Sequence, residues 1–226
     1  TSAWKNTSVG ETEKIRDFFE QLPKDKIRIH LLQEQHYLCA YCMKRIQDDP
    51  LETTIEHWFP LDKDKDKALD YKNMLAVCRG GATMDLEKGH KRELCCDASK
   101  GNSEIKINPL NEIHMNKVKY TREGIVQTGD ESLDFDINNV LRLNGIRDEN
   151  GNLICDTSTA LLKGRKNAVQ KSVAIIEVLD RKRKLTSAML KRKVEEIKEK
   201  PMRDEFAGVT IFFLERKIRL LQKLGK

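Results

Sequence analysis

The spacing of the cysteines constrains this chain more than any other feature of its sequence. Cys39 and Cys42 form a C-x2-C pair, a spacing that lets two thiolates bind one tetrahedral zinc ion. We expect a second pair from Cys78 and one of two adjacent residues, Cys95 or Cys96. We favour Cys96, because the sequence CDASK that it begins has the form of a zinc ligand leading into a helix. Cys95 is then expected to be a buried neighbour of the site.

Other interpretations of the cysteines fit the surrounding sequence less well. A redox-active C-x2-C pair usually opens a helix after a strand in a βαβ unit, and Cys39 lacks that context. Six cysteines in a chain without a secretory pattern also argue against a disulfide framework. His90 is a further candidate ligand, although a histidine in a polar loop is more often a surface residue. Cys155 is expected to be a small core residue, so the cysteines predict one structural Zn²⁺ ion.

Hydrophobic periodicity predicts helices on both sides of an irregular central segment. Amphipathic patterns cover 11–22 and 25–36, separated by Pro23, and later cover 158–180 and 205–224. No apolar run approaches the roughly 20 residues that cross a bilayer, so we expect no membrane segment and a cytoplasmic location.

The central segment from 37 to 102 lacks a helical period and has few apolar residues. Below about 70 residues a bound metal often substitutes for a large core. After this segment, VKYTREGIVQ predicts a hairpin with Gly124 near its turn, and a short helix is expected at 137–143. The predicted fold class is α+β and mostly α-helical, with a zinc-bound module flanked by helices. The predicted domains are an N-terminal helical segment (1–36), the zinc module (37–110) and a helical region for partner and nucleic-acid contacts (111–226).

Positive charge is concentrated in one part of the chain. The segment 181–203, interpreted as helical, holds ten Lys or Arg against three Glu, whereas the whole chain has a net charge of +6. Residues 39–102 hold eleven Lys or Arg against twelve Asp or Glu. The basic segment is either a solvated helix face or a contact for phosphates or a partner. Because the zinc module is nearly neutral, we expect substrate affinity to come from this segment or from another chain.

Residues between the cysteine pairs have the chemistry of phosphodiester hydrolysis. That reaction needs a base for water, a cation for the developing charge and a group that orients the base. His57 is a candidate base, and Asn73 can hold the imidazole and its loop in place. Glu56 and Asp97 can supply oxygen ligands to a divalent cation. Each residue alone is commonly structural, but their combination within a cysteine scaffold is far more specific.

The order of these residues resembles the HNH endonuclease motif in its zinc-bound form: C-x2-C, Glu-His-x2-Pro, Tyr-x-Asn-Met, Cys, then Cys-Asp-x2-Lys-Gly-Asn. The resemblance implies two strands and a helix around one Mg²⁺ or Mn²⁺ ion, a fold called ββα-metal. It makes His57 the general base and Asn73 the central asparagine. It makes Glu56 and Asp97 the ligands of the catalytic metal, although the acid before the base is more often Asp and the helix residue is usually His or Asn.

Two residues after Asp97 are also assigned by this resemblance. Lys100 and Asn102 follow at the start of the same helix. They are expected either to contact nucleic-acid phosphates or to brace the loop, and a capping role in the sequence KGN is an equal alternative.

A longer stretch of the chain resembles the PtuB family, the nuclease components of Septu-type bacterial antiphage systems. The stretch runs from LLQEQHYLCAYC through INPL and LRLNG to a helical tail with Leu161 and Arg165. The resemblance implies a PtuA-like partner, an ABC or SMC-type ATPase, and in some systems a retron reverse transcriptase with its DNA. It leaves the substrate open between DNA and tRNA.

Two functions other than nucleic-acid cleavage are alternatives for a zinc-bound chain of this kind. A zinc-bound adaptor with an inactive nuclease site would bind partners without cleaving, but the retained Glu56, His57 and Asn73 argue against it. A sequence-specific zinc-finger reader would need a helix of base-reading residues between its ligands, which this chain lacks.

Overall fold

The computed structural model of the protein describes residues 17–61, 63–83 and 93–225. It is a mixed α and β structure in which helices dominate, as the sequence predicted. The helices are α1 (Lys24–Glu34), α2 (Lys65–Ala68), α3 (Cys96–Lys100), α4 (Glu112–Lys117), α5 (Glu131–Phe135), α6 (Leu161–Arg181), α7 (Ser187–Lys198) and α8 (Ala207–Lys223). The strands are β1 (Thr53–His57), β2 (Met74–Cys78), β3 (Lys119–Tyr120), β4 (Val126–Gln127), β5 (Ile146–Arg147) and β6 (Leu153–Cys155). They pair in sequence order as three two-stranded sheets.

The first hairpin and α3 form a strand–strand–helix unit. β1 runs antiparallel to β2, with Thr53 opposite Cys78 and His57 opposite Met74. All five residues of β2 are buried, which is the pattern of a strand covered on both faces. Helices α1 and α3 both contact β2. The element order is the one that the HNH resemblance implies, while the identity of the unit as an HNH core stays a prediction, as do the predicted domain boundaries.

Two predicted helices have different boundaries in the structure. The helix expected at 11–22 lies partly outside the described residues, and its described part is helical at 17–20. The helix expected at 137–143 begins earlier, because Asp130 caps α5 by accepting hydrogen bonds from two backbone amides of its first turn. A π-helical turn over Asp136–Val140 then continues it.

The interpretation of 181–203 as one helical segment was wrong. α6 ends at Arg181, and α7 starts anew after Thr186, whose side chain accepts a hydrogen bond from the amide of Met189. Arg183 adopts the left-handed conformation, with φ of 52°. Its amide and that of Lys184 donate to carbonyls in the last turn of α6, which ends the helix there.

The last three helices pack together around a hydrophobic cluster of their own. α8 runs antiparallel to α7, because Lys198 at the end of α7 is 3.4 Å from Glu215 in α8, whereas Lys191 lies near Arg219. The buried members of this cluster are Leu179, Leu190, Val194, Leu214, Ile218 and Leu221. We call the end of α6 from Ile175, together with α7 and α8, the helical arm.

Arg165 joins α6 to the predicted hairpin, which the structure confirms as β3 and β4. Its side chain is 1 % exposed, and its guanidinium donates to the carbonyls of Gly124 and Leu143. It also donates to the amide oxygen of Asn144, which in turn bonds both backbone groups of Val126. These contacts fix the start of α6 against the main core. Within the described part of the chain, no helix combines the length and apolar character needed to span a bilayer.

Candidate metal and catalytic centre

Four cysteine thiols meet in the main core. The sulfur atoms of the residues expected as ligands all lie within 4.8 Å of one another, and all four side chains are buried: Cys39, Cys42, Cys78 and Cys96. The Sγ atoms of Cys42 and Cys78 are 3.8 Å apart. Four sulfurs at about 2.3 Å from a tetrahedral zinc ion are separated by roughly 3.8 Å. The cluster therefore fits a structural Zn²⁺ ion.

The surroundings of the cluster favour a thiolate at Cys39. Backbone amides of Cys78 and Lys44 donate to the sulfurs of Cys39 and Cys42 at 3.3 and 3.5 Å. Burial tends to raise the pKa of Cys39, but hydrogen bonds from the neighbouring thiols lower that pKa well below its usual value. The interaction with Cys39 raises the pKa of Cys42, Cys78 and Cys96. A metal ligand must be deprotonated, so these contacts prepare Cys39, and not the whole cluster, for a cation.

The other cysteines lie outside the group of four. Cys95 is buried, as expected, with its sulfur 3.3 Å from the hydroxyl of Thr159. Cys155 is only half-buried at the end of β6, so it is less enclosed than the predicted core residue. His90 lies outside the described residues. Among those that are described, only the four thiols form a group of three or more metal-ligating side chains.

Gly80 brings the two halves of the cysteine scaffold together. It has φ of +57°, and a Cβ atom there would lie 1.8 Å from the carbonyl oxygen of Cys95. Its own carbonyl accepts a hydrogen bond from the amide of Cys95 at 3.0 Å. Only glycine allows this close approach in this conformation, so the backbone after Cys78 lies directly against the start of α3.

Glu56 lies in a buried ion pair beside this scaffold. Its Oε1 is 2.5 Å from Nζ of Lys100, which also donates to the carbonyl of His57 at 3.1 Å. Burial raises the pKa of Glu56 to about 7. Lys100 opposes that rise, while the neighbouring carboxyl group of Asp97 adds to it. The structure thus places Glu56 next to Asp97, with an internal ammonium against one of their oxygens.

The imidazole of His57 is oriented by a backbone carbonyl. Its Nε2 lies 2.9 Å from the oxygen of Ala68. Because a carbonyl oxygen can only accept, Nε2 carries the proton and Nδ1 is left as an acceptor. Phe19 packs edge-on against the ring, with centroids 4.7 Å apart. Burial lowers the pKa of His57, the hydrogen bond with Ala68 raises it, and Lys100 lowers it, with a net decrease that favours the neutral form a general base needs.

Asn73 holds the loop that supplies this carbonyl. Its Oδ1 accepts a hydrogen bond from the amide of Phe59 at 2.8 Å, and its Nδ2 donates to the carbonyls of Phe59 and Lys67 at 2.9 and 3.1 Å. Lys67 immediately precedes Ala68, so Asn73 fixes the carbonyl that orients His57. The amide acts on the imidazole through the loop, not by direct contact.

Replacing Asn73 by alanine is expected to lower the free energy of unfolding by about 2–3 kcal/mol, because three hydrogen bonds of about 1 kcal/mol each are lost. If the protein cleaves nucleic acid, its rate should fall about 100-fold as the base loses its orientation. Thermal melting and a cleavage assay measure the two effects. Asn116→Ala, on an exposed position of α4, is the matched control. Equal behaviour of the two variants would contradict the clamping role.

The residues assigned to nucleic-acid contact differ in their exposure. Lys100 is 2 % exposed, and its ammonium is engaged by Glu56 and by backbone carbonyls, as the bracing alternative expects, while its contact with phosphate stays a prediction. Asn102 is exposed just after α3, and its contact with nucleic acid stays a prediction.

Sequence reasoning missed two residues of the centre. The hydroxyl of Tyr41 lies 3.4 Å from Oε1 of Glu56, and its place between the two cysteines of the first pair was the available signal. Phe19 gave no such signal, because its contact with His57 joins segments that are distant in sequence.

Comparison with known proteins gives one distant similarity. No family model matches the chain. An Escherichia coli protein named "Retron Ec83 putative HNH endonuclease" is 27% identical over 113 residues, which cover 46% of this chain. The chain spans 42% of the length of that protein. It is therefore distantly and partially similar to a protein named as an HNH endonuclease.

Proposed function

We propose that this protein is a metal-dependent nuclease of the HNH type, which hydrolyses phosphodiester bonds of nucleic acid. One observation carries the proposal: the carboxyl groups of Glu56 and Asp97 are neighbours, and His57, whose imidazole is oriented through Nε2, directly follows Glu56 in a core that also holds a cluster of four thiols. The distant similarity to the E. coli protein named as an HNH endonuclease supports it.

Each residue has a separate task in this proposal. Nδ1 of His57 accepts the proton of the attacking water, while Ala68 holds Nε2. Asn73 keeps the loop around Ala68 in place. The thiol cluster joins β2 to α3 and so holds Asp97 beside Glu56.

Glu56 and Asp97 are the residues that would hold the catalytic metal. Mg²⁺ prefers oxygen ligands and usually keeps several waters, so two carboxylates are a sufficient protein contribution. A divalent cation there supplies positive charge to the phosphate as negative charge develops. Lys100 occupies one oxygen of Glu56, so a metal either uses the other oxygen or displaces the ammonium.

We also propose partners and a setting for the protein. The PtuB-like sequence supports a complex with a PtuA-like ATPase. The retron in the name of the similar protein supports a further association with a retron reverse transcriptase and its DNA. The substrate is then cellular or phage nucleic acid, either DNA or tRNA, in a bacterial cytoplasm.

Cleavage is expected to require Mg²⁺ or Mn²⁺ in addition to bound zinc. The test incubates the protein, alone and copurified with its partner chain and ATP, with plasmid DNA and with tRNA. Brief EDTA treatment that leaves the zinc content unchanged should abolish cleavage, and added Mg²⁺ should restore it, because two carboxylates hold Mg²⁺ less tightly than four thiolates hold zinc. Cleavage that survives this treatment, or none by the complex with either substrate, would contradict the proposal.

The adaptor function remains a second candidate because of Lys100. Its ammonium already neutralises Glu56, which is what an inactive site without metal would show. Mn²⁺ titration separates the two: the nuclease binds Mn²⁺ at a site that Asp97→Asn weakens, and the adaptor binds none there.

A further inference from the structure

The outer end of the helical arm carries a concentration of positive charge that the proposed catalytic centre does not use. Four consecutive basic residues, 181–184, begin at the last residue of α6, and all four are exposed. Thr210 near the start of α8 donates to the carbonyl of Ala168 in α6, and eleven residues further along each helix Leu221 and Leu179 belong to one hydrophobic cluster, so the two helices run in the same direction. The exposed Arg219 and Lys223 therefore lie at the same end of the arm. We call these six basic residues the basic tip.

Several basic residues in and beside the rest of the arm pair with acids, whereas Lys191, Arg216 and Lys217 make no ion pair within the described residues. Lys193 is 2.5 Å from Glu196, and Lys198 is 3.4 Å from Glu215. Lys200 is 3.5 Å from Asp204. Within residues 17–61, 63–83 and 93–225, none of the six basic-tip residues makes an ion pair.

Helix capping explains only part of this charge. A cation in the last turn of a helix is stabilised by the helix dipole, which amounts to about half an elementary charge and acts within one turn. Arg181 and Lys223 fit that role. Six like charges at one end exceed what two helix termini neutralise, and like charges close together are destabilising. An external polyanion would relieve that repulsion.

We propose that the basic tip binds the phosphate backbone of the nucleic-acid substrate while a separate part of the same molecule is cleaved. This inference rests on the proposed nuclease function and names where its substrate is held. The module around the catalytic centre is nearly neutral, with eleven Lys or Arg against twelve Asp or Glu over 39–102. Clustered unpaired cations bind nucleic acid by releasing its counterions, without base specificity.

The length of α6 gives the approximate distance between the main core and the basic tip. The helix starts at Leu161, beside the Cys95–Thr159 contact, and is 21 residues long, ending at the basic tip. At 1.5 Å per residue it is about 30 Å long. One strand of a duplex has a phosphate every 3.4 Å along the axis, so this length corresponds to roughly nine base pairs.

The test measures binding by the His57→Ala protein, so that substrate is not cut. The probes are a 30-base-pair DNA duplex and a tRNA, each at several salt concentrations. K182Q/R183Q/K184Q/R219Q should weaken binding at least tenfold at about 0.1 M salt. On duplex DNA, the slope of log K against log salt should fall by about 3 to 4, or about 0.9 for each lost phosphate contact. Comparison of the two probes shows whether the basic tip strengthens binding of DNA or of RNA.

A matched variant controls for net charge. K119Q/R122Q/K163Q/K166Q removes the same number of exposed cations from other surfaces and should leave the slope close to that of the parent. Equal loss in both variants, or an unchanged slope in the tip variant, would overturn the inference. An unchanged slope with lost association of an acidic protein partner would assign the tip to that protein instead. Binding is measured separately from cleavage. If the parent protein cleaves neither probe while the His57→Ala protein still binds through its tip, the nuclease proposal alone is refuted.

Discussion

Replacing Cys96 by serine is expected to remove the zinc ion and to unfold the central module. The four thiols lie within 4.8 Å of one another inside the main core, and a hydroxyl is a poor substitute for a thiolate ligand. Zinc binding contributes directly to folding free energy. Loss of a structural metal belongs to the changes that cost more than about 4–5 kcal/mol. Zinc content by mass spectrometry and thermal melting measure the result.

Cys95→Ser is the matched control, because the two cysteines are adjacent and both fully buried. Cys95 lies beside the thiols of Cys78 and Cys96 but outside the group of four, and its sulfur contacts the hydroxyl of Thr159, so its replacement should cost about 1 kcal/mol and retain one zinc ion. The opposite pattern, with zinc lost from Cys95→Ser and kept by Cys96→Ser, would show that Cys95 and not Cys96 is the fourth ligand. A zinc-free parent protein that melts normally would reject the structural metal.

Replacing His57 by alanine is expected to reduce cleavage by about 10²–10⁴-fold while leaving zinc in place. Proton transfer by a positioned base contributes an effect of that size. The imidazole is not part of the thiol cluster, and the hydrogen bond lost at Ala68 is worth about 1 kcal/mol. Single-turnover cleavage rates, measured with saturating Mg²⁺ on the complex that cleaves, give the change.

His114→Ala controls for loss of a histidine that also bonds the backbone, since its Nδ1 accepts a hydrogen bond from the amide of Asn108 at 3.1 Å. Cleavage should be unaffected in that variant. His57→Gln keeps a donor for Ala68 but has no basic nitrogen, so it should be as inactive as His57→Ala. Activity retained by His57→Gln would show that residue 57 orients the loop and that the base lies elsewhere.

The sequence predicted those parts of the molecule that depend on local chemistry. The C-x2-C spacing and the cysteine that opens α3 gave the four-thiol cluster, and turn residues around Gly124 gave the hairpin. The long amphipathic patterns gave α6 and α8 to within a few residues. These features depend on spacing and periodicity, which a single sequence shows directly.

The remaining features depend on contacts between distant segments. The pairing of Lys100 with Glu56 joins residues 44 positions apart, and nothing in KGN distinguishes a buried ammonium from a phosphate ligand. The break between α6 and α7 was missed because RKRK is compatible with a helix, and the tertiary packing of Leu179 and Leu190 decides where the chain turns. The orientation of His57 by Ala68 is a backbone contact that no side-chain pattern encodes.

The ion pair between Lys100 and Glu56 supplies a counterion from within the chain, at the place where the carboxylates of Glu56 and Asp97 would otherwise repel each other. Such a pocket can close during synthesis on its internal charge balance alone, so the newly made protein needs no added ion at this place in order to fold. If the proposed divalent cation binds there through the same oxygen, it has to compete with a lysine that the chain supplies itself.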